Sequence, residues 1–290
     1  MNVPLQTLAS PSEMTAWSHS THLAGETIAL VPTMGALHRG HLALIEHART
    51  VADRVVVSIF VNPLQFDRPD DFEHYPRPID ADVAVCADNG VDAVYAPTAA
   101  VMYPGGFQTT VRMGALARVM EGASRPGHFD GVATVVTKLF TAVRPELAVF
   151  GEKDFQQLAI VRRLSADLDV NVDVIGRPTV READGLALSS RNTRLDEAHR
   201  RAAVAVPRAL EAAVRSAVDG ERRASTVIDA ALQVLADEPL TVVDYVAVFD
   251  TDDLSPVNDL DTHPHDRLRI AAAAHFGDVR LIDNCALFPS

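Results

Sequence analysis

The chain has 290 residues, 48% hydrophobic and 22% charged, which is enough to bury a core in one large or two ordinary domains and excludes a disordered segment. Its 26 basic and 39 acidic residues give a net charge of −13, which repels nucleic acid and anionic membranes, and no run of five basic residues reverses that field locally. No stretch approaches the roughly 18 apolar residues of a membrane span, and Met1-Asn2-Val3-Pro4 lacks the basic flank and apolar run of a signal peptide. A cytoplasmic protein without nucleic-acid or membrane partners is expected.

Apolar, β-branched runs at Thr27 to Pro32, Val55 to Val61, Asp92 to Ala96, Leu147 to Gly151 and Val170 to Ile175 read as strands. Between them His41 to Ala52, Ile79 to Asn89, Gly131 to Val143 and Phe155 to Leu168 place apolar residues at helical intervals. Buried strands alternating with helices imply parallel β-α-β units and a doubly wound α/β sheet, whose ligands sit beyond the carboxyl ends of the strands. After about residue 180 two long helical patterns, Asp196 to Val218 and Glu221 to Ala236, precede strands at Thr241 to Phe249, Leu268 to Ala274 and Val279 to Leu287. This α+β order places a boundary near Thr179, giving domains 1–179 and 180–290, the second smaller and able to act as a lid. Asp250 to Asp266, polar and proline-bearing, reads as an exposed loop.

Cys86 and Cys285 have no paired spacing, so neither a disulfide framework nor a zinc site is signalled. Only Lys138 and Lys153 among the 26 basic residues are lysine, so each needs its own explanation.

The first strand runs into Val31-Pro32-Thr33-Met34-Gly35-Ala36-Leu37-His38-Arg39-Gly40-His41. His38 and His41 share a face if the turn is helical, and Gly40 removes a side chain where a ligand would approach the backbone. A helix start offers unpaired N–H groups and about half a positive charge, and two imidazoles beside it can donate to phosphate oxygens without adding a permanent charge. A plain cap with two surface histidines fits the same letters. A zinc site fits less well, because no His-Glu-x-x-His pattern or cysteine pair accompanies them.

Phe60-Val61-Asn62-Pro63-Leu64-Gln65-Phe66 leaves the second strand with two amides. They can hold hydroxyls or a carboxylate of a small substrate, or Asn62 can bond its own backbone in a turn. Phe150-Gly151-Glu152-Lys153-Asp154-Phe155-Gln156-Gln157 repeats the design of strand, glycine and charged helix start, with a lysine point charge suited to phosphate. In Gly185-Leu186-Ala187-Leu188-Ser189-Ser190-Arg191-Asn192 two hydroxyls and a guanidinium can donate to phosphate oxygens, or a serine can simply cap. Glu121 to Gly131 is a glycine-bearing loop that is either a mobile flap carrying Arg125 or a turn.

Taken together, V-P-T-M-G-A-L-H-R-G-H, F-V-N-P-L-Q-F, Y-P-R, R-P-G-H-F-D-G-V, F-G-E-K-D-F-Q-Q, R-E-A-D-G-L-A-L-S-S-R-N and the terminal D-N-C-A-L make the chain resemble the pantothenate synthetase (pantoate–β-alanine ligase) family of coenzyme A biosynthesis. The last hundred residues are less diagnostic.

The resemblance implies a Rossmann-like nucleotidyltransferase domain with a smaller lid domain, a homodimer, and ATP with Mg²⁺, whose ligands it does not assign. It implies a pantoyl adenylate formed from pantoate and ATP, then attacked by β-alanine. Met34, Gly35, Ala36, Leu37, His38, Arg39, Gly40 and His41 would line the nucleotide site, Arg39 pointing to solvent. His41 and His38 would act on the phosphates, His41 as donor to the leaving group. Lys153 would neutralise the α- and β-phosphates, and Ser189, Ser190 and Arg191 would hold the triphosphate. Gly151, Glu152, Asp154, Val180 and Leu188 would complete the nucleotide side. Gln65 and Gln157 would hold pantoate, with Asn62, Met34, Tyr75 and Arg125 around the substrates. A different nucleotidyltransferase would share H-x-G-H without requiring the paired glutamines or G-E-K-D. A non-catalytic nucleotide binder is a further reading, against which His41, Lys153 and Arg191 argue.

Overall fold

The computed structural model describes residues 5–67 and 69–289. Met1-Asn2-Val3-Pro4, on which the signal-peptide reading rests, lies outside them. Two compact units are present, the first made of Met1–Ala117, Arg125–Glu152 and Ile160–Pro178, the second of Arg118–Ser124, Lys153–Ala159 and Thr179–Ser290. The expected division at 179 is therefore not a single cut, since the short segments 118–124 and 153–159 group with the C-terminal residues.

The first unit carries a six-stranded sheet in the order β1-β4-β3-β2-β5-β6, from Gln6–Leu8, Ile28–Thr33, Arg54–Ile59, Ala93–Tyr95, Leu147–Gly151 and Asp173–Arg177 as β1 to β6. All of its pairings are parallel. Strand order reverses between β2 and β5, so the carboxyl ends of these two neighbours flank the switch point where doubly wound sheets take ligands. The helix Arg39–Val51 buries Leu44, Ile45 and Ala48 against Val31, Val57 and Val149 of the sheet. Each large aliphatic side chain so buried contributes roughly 1.5–3 kcal/mol, and this face fixes where the helix start, with its histidines, projects.

The last strand of this sheet begins three residues later than Val170 because Asn171, inside the expected run, takes a left-handed conformation, φ 56°, which an extended strand cannot contain. Pro11–Leu23 forms a helix the periodicity does not reveal, because its buried face is Met14, Ser18 and Thr21. Its start was readable in Ser10 and Glu13, which form a reciprocal capping box.

In the second unit β7 (Thr241–Asp250), β8 (Leu268–Phe276) and β9 (Val279–Ala286) form an antiparallel sheet in that order. The helices Ala205–Val218 and Ala224–Ala236 share its apolar core. The expected helix over Asp196 to Val218 is two, Glu197–Ala202 and Ala205–Val218. Pro207 explains the break: it has no N–H for a continuous helix, and it sits in the first turn of the second one, where none is needed.

The segment 118–124 is tied to this unit by polar contacts. The buried Gln156 accepts from the Glu121 N–H at 3.0 Å and donates to the Val119 carbonyl at 2.8 Å. Glu121 forms a two-pronged pair with Arg280, at 2.7 Å on each prong, and accepts from the Tyr245 hydroxyl at 2.9 Å. A register shift between Val243 and Tyr245 leaves Asp244 as an extra residue, and it too reaches Arg280.

Candidate active site

In the first unit β2 ends in a tight turn. Gly35 and Ala36 are both left-handed, φ 84° and 51°, and the Ala36 and Leu37 N–H groups each donate to the buried Asp82 carboxylate at 2.8 Å. A Cβ on Gly35 would lie 2.8 Å from Asp82 Oδ2, so only glycine allows that approach. The turn delivers His38 as the N-cap of Arg39–Val51. The Gly40 N–H donates to His38 Nδ1 at 3.1 Å and the His38 N–H donates to His41 Nδ1 at 3.3 Å, with the rings 4.1 Å apart. The capping reading is met: Nδ1 of each ring accepts from the backbone, so in the neutral tautomer the proton sits on Nε2. Arg39 is exposed.

Beside this turn, the residues after β3 form a one-turn 3-10 helix, Pro63–Gln65, capped by Asn62. Gln65 Nε2 donates to Met34 Sδ at 3.2 Å, which brings two of the expected pantoate residues together. Asn62 is 1% exposed and fully occupied. Its Nδ2 donates to Gln65 Oε1 and the Gly131 carbonyl, and its Oδ1 accepts from Leu64 N–H and the Tyr103 hydroxyl. Asn62 therefore holds Gln65, and its four side-chain hydrogen-bonding positions are filled by protein groups.

Arg125 is a brace. It donates to Asp67 at 2.9 Å and to the Gln65 carbonyl at 3.0 Å, and the His128 ring donates to that same carbonyl at 2.7 Å. Burial alone would push the Asp67 carboxyl up, yet Arg125 and its hydrogen bonds hold it below the usual range. Tyr75 is buried and meets Phe66 edge-on at 5.7 Å. The first unit also contains Gly151 and Glu152 at the end of β5, and a Cβ on Gly151 would meet nothing within 4 Å. Lys138, the other lysine, places its ammonium 5.2 Å from the Phe107 ring centroid and 6.0 Å from that of Tyr103.

In the second unit Lys153 follows in a 3-10 turn, its side chain 18% exposed and its ammonium 3.9 Å from the more exposed Asp154 carboxylate. Asn284, from the terminal D-N-C-A-L stretch, donates to the Lys153 carbonyl at 2.9 Å and accepts from Arg269 at 3.0 Å, so it fixes this turn. Gln157 is half-buried one helical turn further on, while its neighbour Gln156 serves the 118–124 segment.

Val180 and Leu188 pair across a tight hairpin turned by Gly185, φ 89°. Arg181 of this hairpin pairs in two-pronged fashion with the buried Asp283, at 2.6 and 3.0 Å. Ser189 caps the 3-10 turn Ser190–Arg194 by accepting from the Arg191 N–H at 3.2 Å, so one of the three expected phosphate contacts has a capping duty as well.

Asp82, Tyr103 and Asn284 escaped the sequence reading. Asp82 had a signal: it shares the buried helix face of Cys86, one turn on, and a buried carboxylate requires a partner. Tyr103 had none, since its partner Asn62 is 41 positions away. Among the described residues no group of three or more His, Cys, Asp or Glu side chains gathers as a metal centre, and no helix is long and apolar enough to cross a membrane.

The sequence profile described as Pantoate-beta-alanine ligase matches residues 6–286. The pantothenate synthetase of Geotalea uraniireducens is 46% identical over 283 residues, spanning 98% of this chain and 99% of its own. That of Sphingopyxis alaskensis is 51% identical over 260 residues, 90% and 91% of the two chains. The crystal structure of pantothenate synthetase from Thermus thermophilus matches with a TM-score of 0.91 at 44% identity, over 98% of this chain and 100% of that one. The pantoate-beta-alanine ligase of Francisella tularensis, complexed with beta-gamma ATP and beta-alanine, matches with a TM-score of 0.78 at 31% identity over 98% of each chain. The profile match over nearly the whole chain, together with these relatives, shows that the chain belongs to the pantoate–β-alanine ligase family.

Proposed function

We propose that the chain condenses pantoate with β-alanine to give pantothenate, cleaving ATP to AMP and pyrophosphate through a pantoyl adenylate. A carboxylate is a poor electrophile, so one pantoate oxygen first attacks the α-phosphorus of ATP as the bond to pyrophosphate breaks. The amine of β-alanine then attacks the acyl carbon of the mixed anhydride, loses a proton and expels AMP. The observation that carries this reading is the assembly, in one unit, of the His38–His41 cap, Met34 and Gln65 at the ends of the adjacent strands β2 and β3.

The roles follow from chemistry. Nε2–H of His41 and His38 donates to phosphate oxygens as charge moves onto the leaving pyrophosphate, where preorganised donors are most effective. Lys153 neutralises the α- and β-phosphates, and Ser189, Ser190 and Arg191 hold the triphosphate. Met34 through Gly40, Gly151, Glu152, Asp154, Val180 and Leu188 make the rest of the nucleotide site. Gln65 and Gln157 bind pantoate, with Met34 and Tyr75 beside it and Arg125 bracing the Gln65 turn. Mg²⁺ would be held mainly by phosphate and water oxygens and would supply charge neutralisation there. The family resemblance supports a homodimer and a cytoplasmic location.

The test is isotope exchange: labelled pyrophosphate enters ATP when pantoate alone is added, and AMP accumulates only when β-alanine follows. Exchange that strictly requires β-alanine overturns the two-step order. Binding of ATP with neither exchange nor AMP formation returns the non-catalytic reading.

A further inference from the structure

We propose that Tyr103 is a positioning residue which, through Asn62, fixes the Gln65 carboxamide as a hydrogen-bond donor toward the substrate. This rests on the reading of Gln65 as a pantoate contact. An amide side chain has two faces of opposite polarity, and the direction of Asn62 is set by backbone groups that cannot change role. The Gly131 carbonyl only accepts, so it faces Nδ2 at 3.1 Å, whereas the Leu64 N–H only donates, so it faces Oδ1 at 3.3 Å. The second Nδ2 hydrogen then points at Gln65 Oε1 at 2.9 Å. The remaining lone pair of Oδ1 receives the Tyr103 O–H at 2.8 Å.

With Oε1 turned inward, Gln65 presents Nε2 on its other side, where it donates to Met34 Sδ at 3.2 Å. A thioether is a weak acceptor that a carboxylate or hydroxyl oxygen readily replaces. The outcome is a donor aimed where a polyoxygenated acid needs one. The Tyr103 ring is held 6.0 Å from Phe60 and 5.0 Å from Phe107, centroid to centroid. Burial pushes its phenol pKa upward, so the hydroxyl keeps its proton across the neutral range.

The experiment compares Tyr103→Phe, Gln65→Ala and the double variant by steady-state kinetics for each substrate and by thermal melting. Tyr103→Phe is expected to raise KM for pantoate about 3- to 10-fold, the scale of one neutral hydrogen bond. KM for ATP and β-alanine should stay unchanged, and the melting temperature should fall only slightly, on the scale of one lost hydrogen bond. Gln65→Ala is expected to raise KM for pantoate further, and in that background Tyr103→Phe should add nothing. If Gln65→Ala leaves KM for pantoate unchanged, the reading of Gln65 falls and the relay falls with it. If Gln65→Ala acts but the Tyr103 effect is absent, persists at full size in the double variant, spreads to ATP or merely follows a much lower melting temperature, the relay alone is overturned.

Discussion

At the scale of single residues, each of the two histidines has one nitrogen already committed to a backbone N–H. The helix start thereby selects the Nε2–H tautomer, a donor. His41→Ala removes a donor and a cap acceptor together, and the two losses differ in size. Pyrophosphate exchange should fall about 10²- to 10³-fold, as for one donor aimed at developing charge. Stability should fall by only about 1 kcal/mol, as for one lost cap. A variant that melts far earlier yet exchanges normally would make His41 a structural cap and nothing more. The spacing of His38 and His41 was legible in the sequence because three residues is less than one helical turn. Asn62 was legible only as one of two possibilities, because whether an amide faces a ligand or its own chain depends on Gly131 and Tyr103, 69 and 41 positions away.

At the scale of elements, the sequence reveals a strand or helix wherever burial is one-sided or continuous. β5 was read at its exact bounds from Leu147-Ala148-Val149-Phe150-Gly151, whose middle is wholly buried. β1 has three residues and no fully buried one, so no pattern could mark it. How elements approach one another was written in one glycine. The helix His128–Val143 begins after a left-handed Gly127 and crosses the Pro63–Gln65 turn at Gly131, where a Cβ would lie 2.2 Å from the Leu64 carbonyl oxygen. Backbone on both sides cannot give way cheaply. Gly131→Ala is therefore expected to cost about 1–3 kcal/mol or more, the range for overpacking, and to raise KM for pantoate by shifting Gln65. Gly151→Ala meets nothing within 4 Å and should leave the melting temperature alone. Urea unfolding of the two variants in parallel checks the contrast, and equal stabilities would refute the close-packing argument for Gly131.

At the scale of the whole molecule, composition foretold a core-forming acidic protein, and alternation of strands and helices foretold the parallel sheet. The grouping of 118–124 and 153–159 with the C-terminal residues was not legible, because it depends on the pairing of Glu121 with Arg280, 159 positions apart. Charge pattern alone does not say which of 24 arginines meets which carboxylate. Burial on this scale also sets the response to alkali. The Cys86 thiol is pushed up to about 12 by burial and then by the Asp82 charge, and the Cys285 thiol to about 11 by burial and then by Asp283. Burial raises the Tyr95 phenol to about 12, and the Tyr103 and Tyr245 phenols upward as well, the last also through Glu121. All five groups hold their protons in the native state at a pH where the unfolded chain, with thiols near 9.0 and phenols near 10.0, gives them up. A native state that binds more protons loses stability as pH rises, so their contribution is intact below about pH 9 and drains away as pH climbs toward the raised values. Urea midpoints should fall steadily above about pH 9, and less steeply in Cys86→Ala, which removes one of the groups. Because three of the four tyrosines are among the five, tyrosinate absorbance should rise together with loss of the near-ultraviolet circular dichroism of packed aromatic rings. Ionisation of more than one tyrosine in a chain that still shows its native spectrum would contradict the argument, since it would mean that these phenols reach solvent without unfolding.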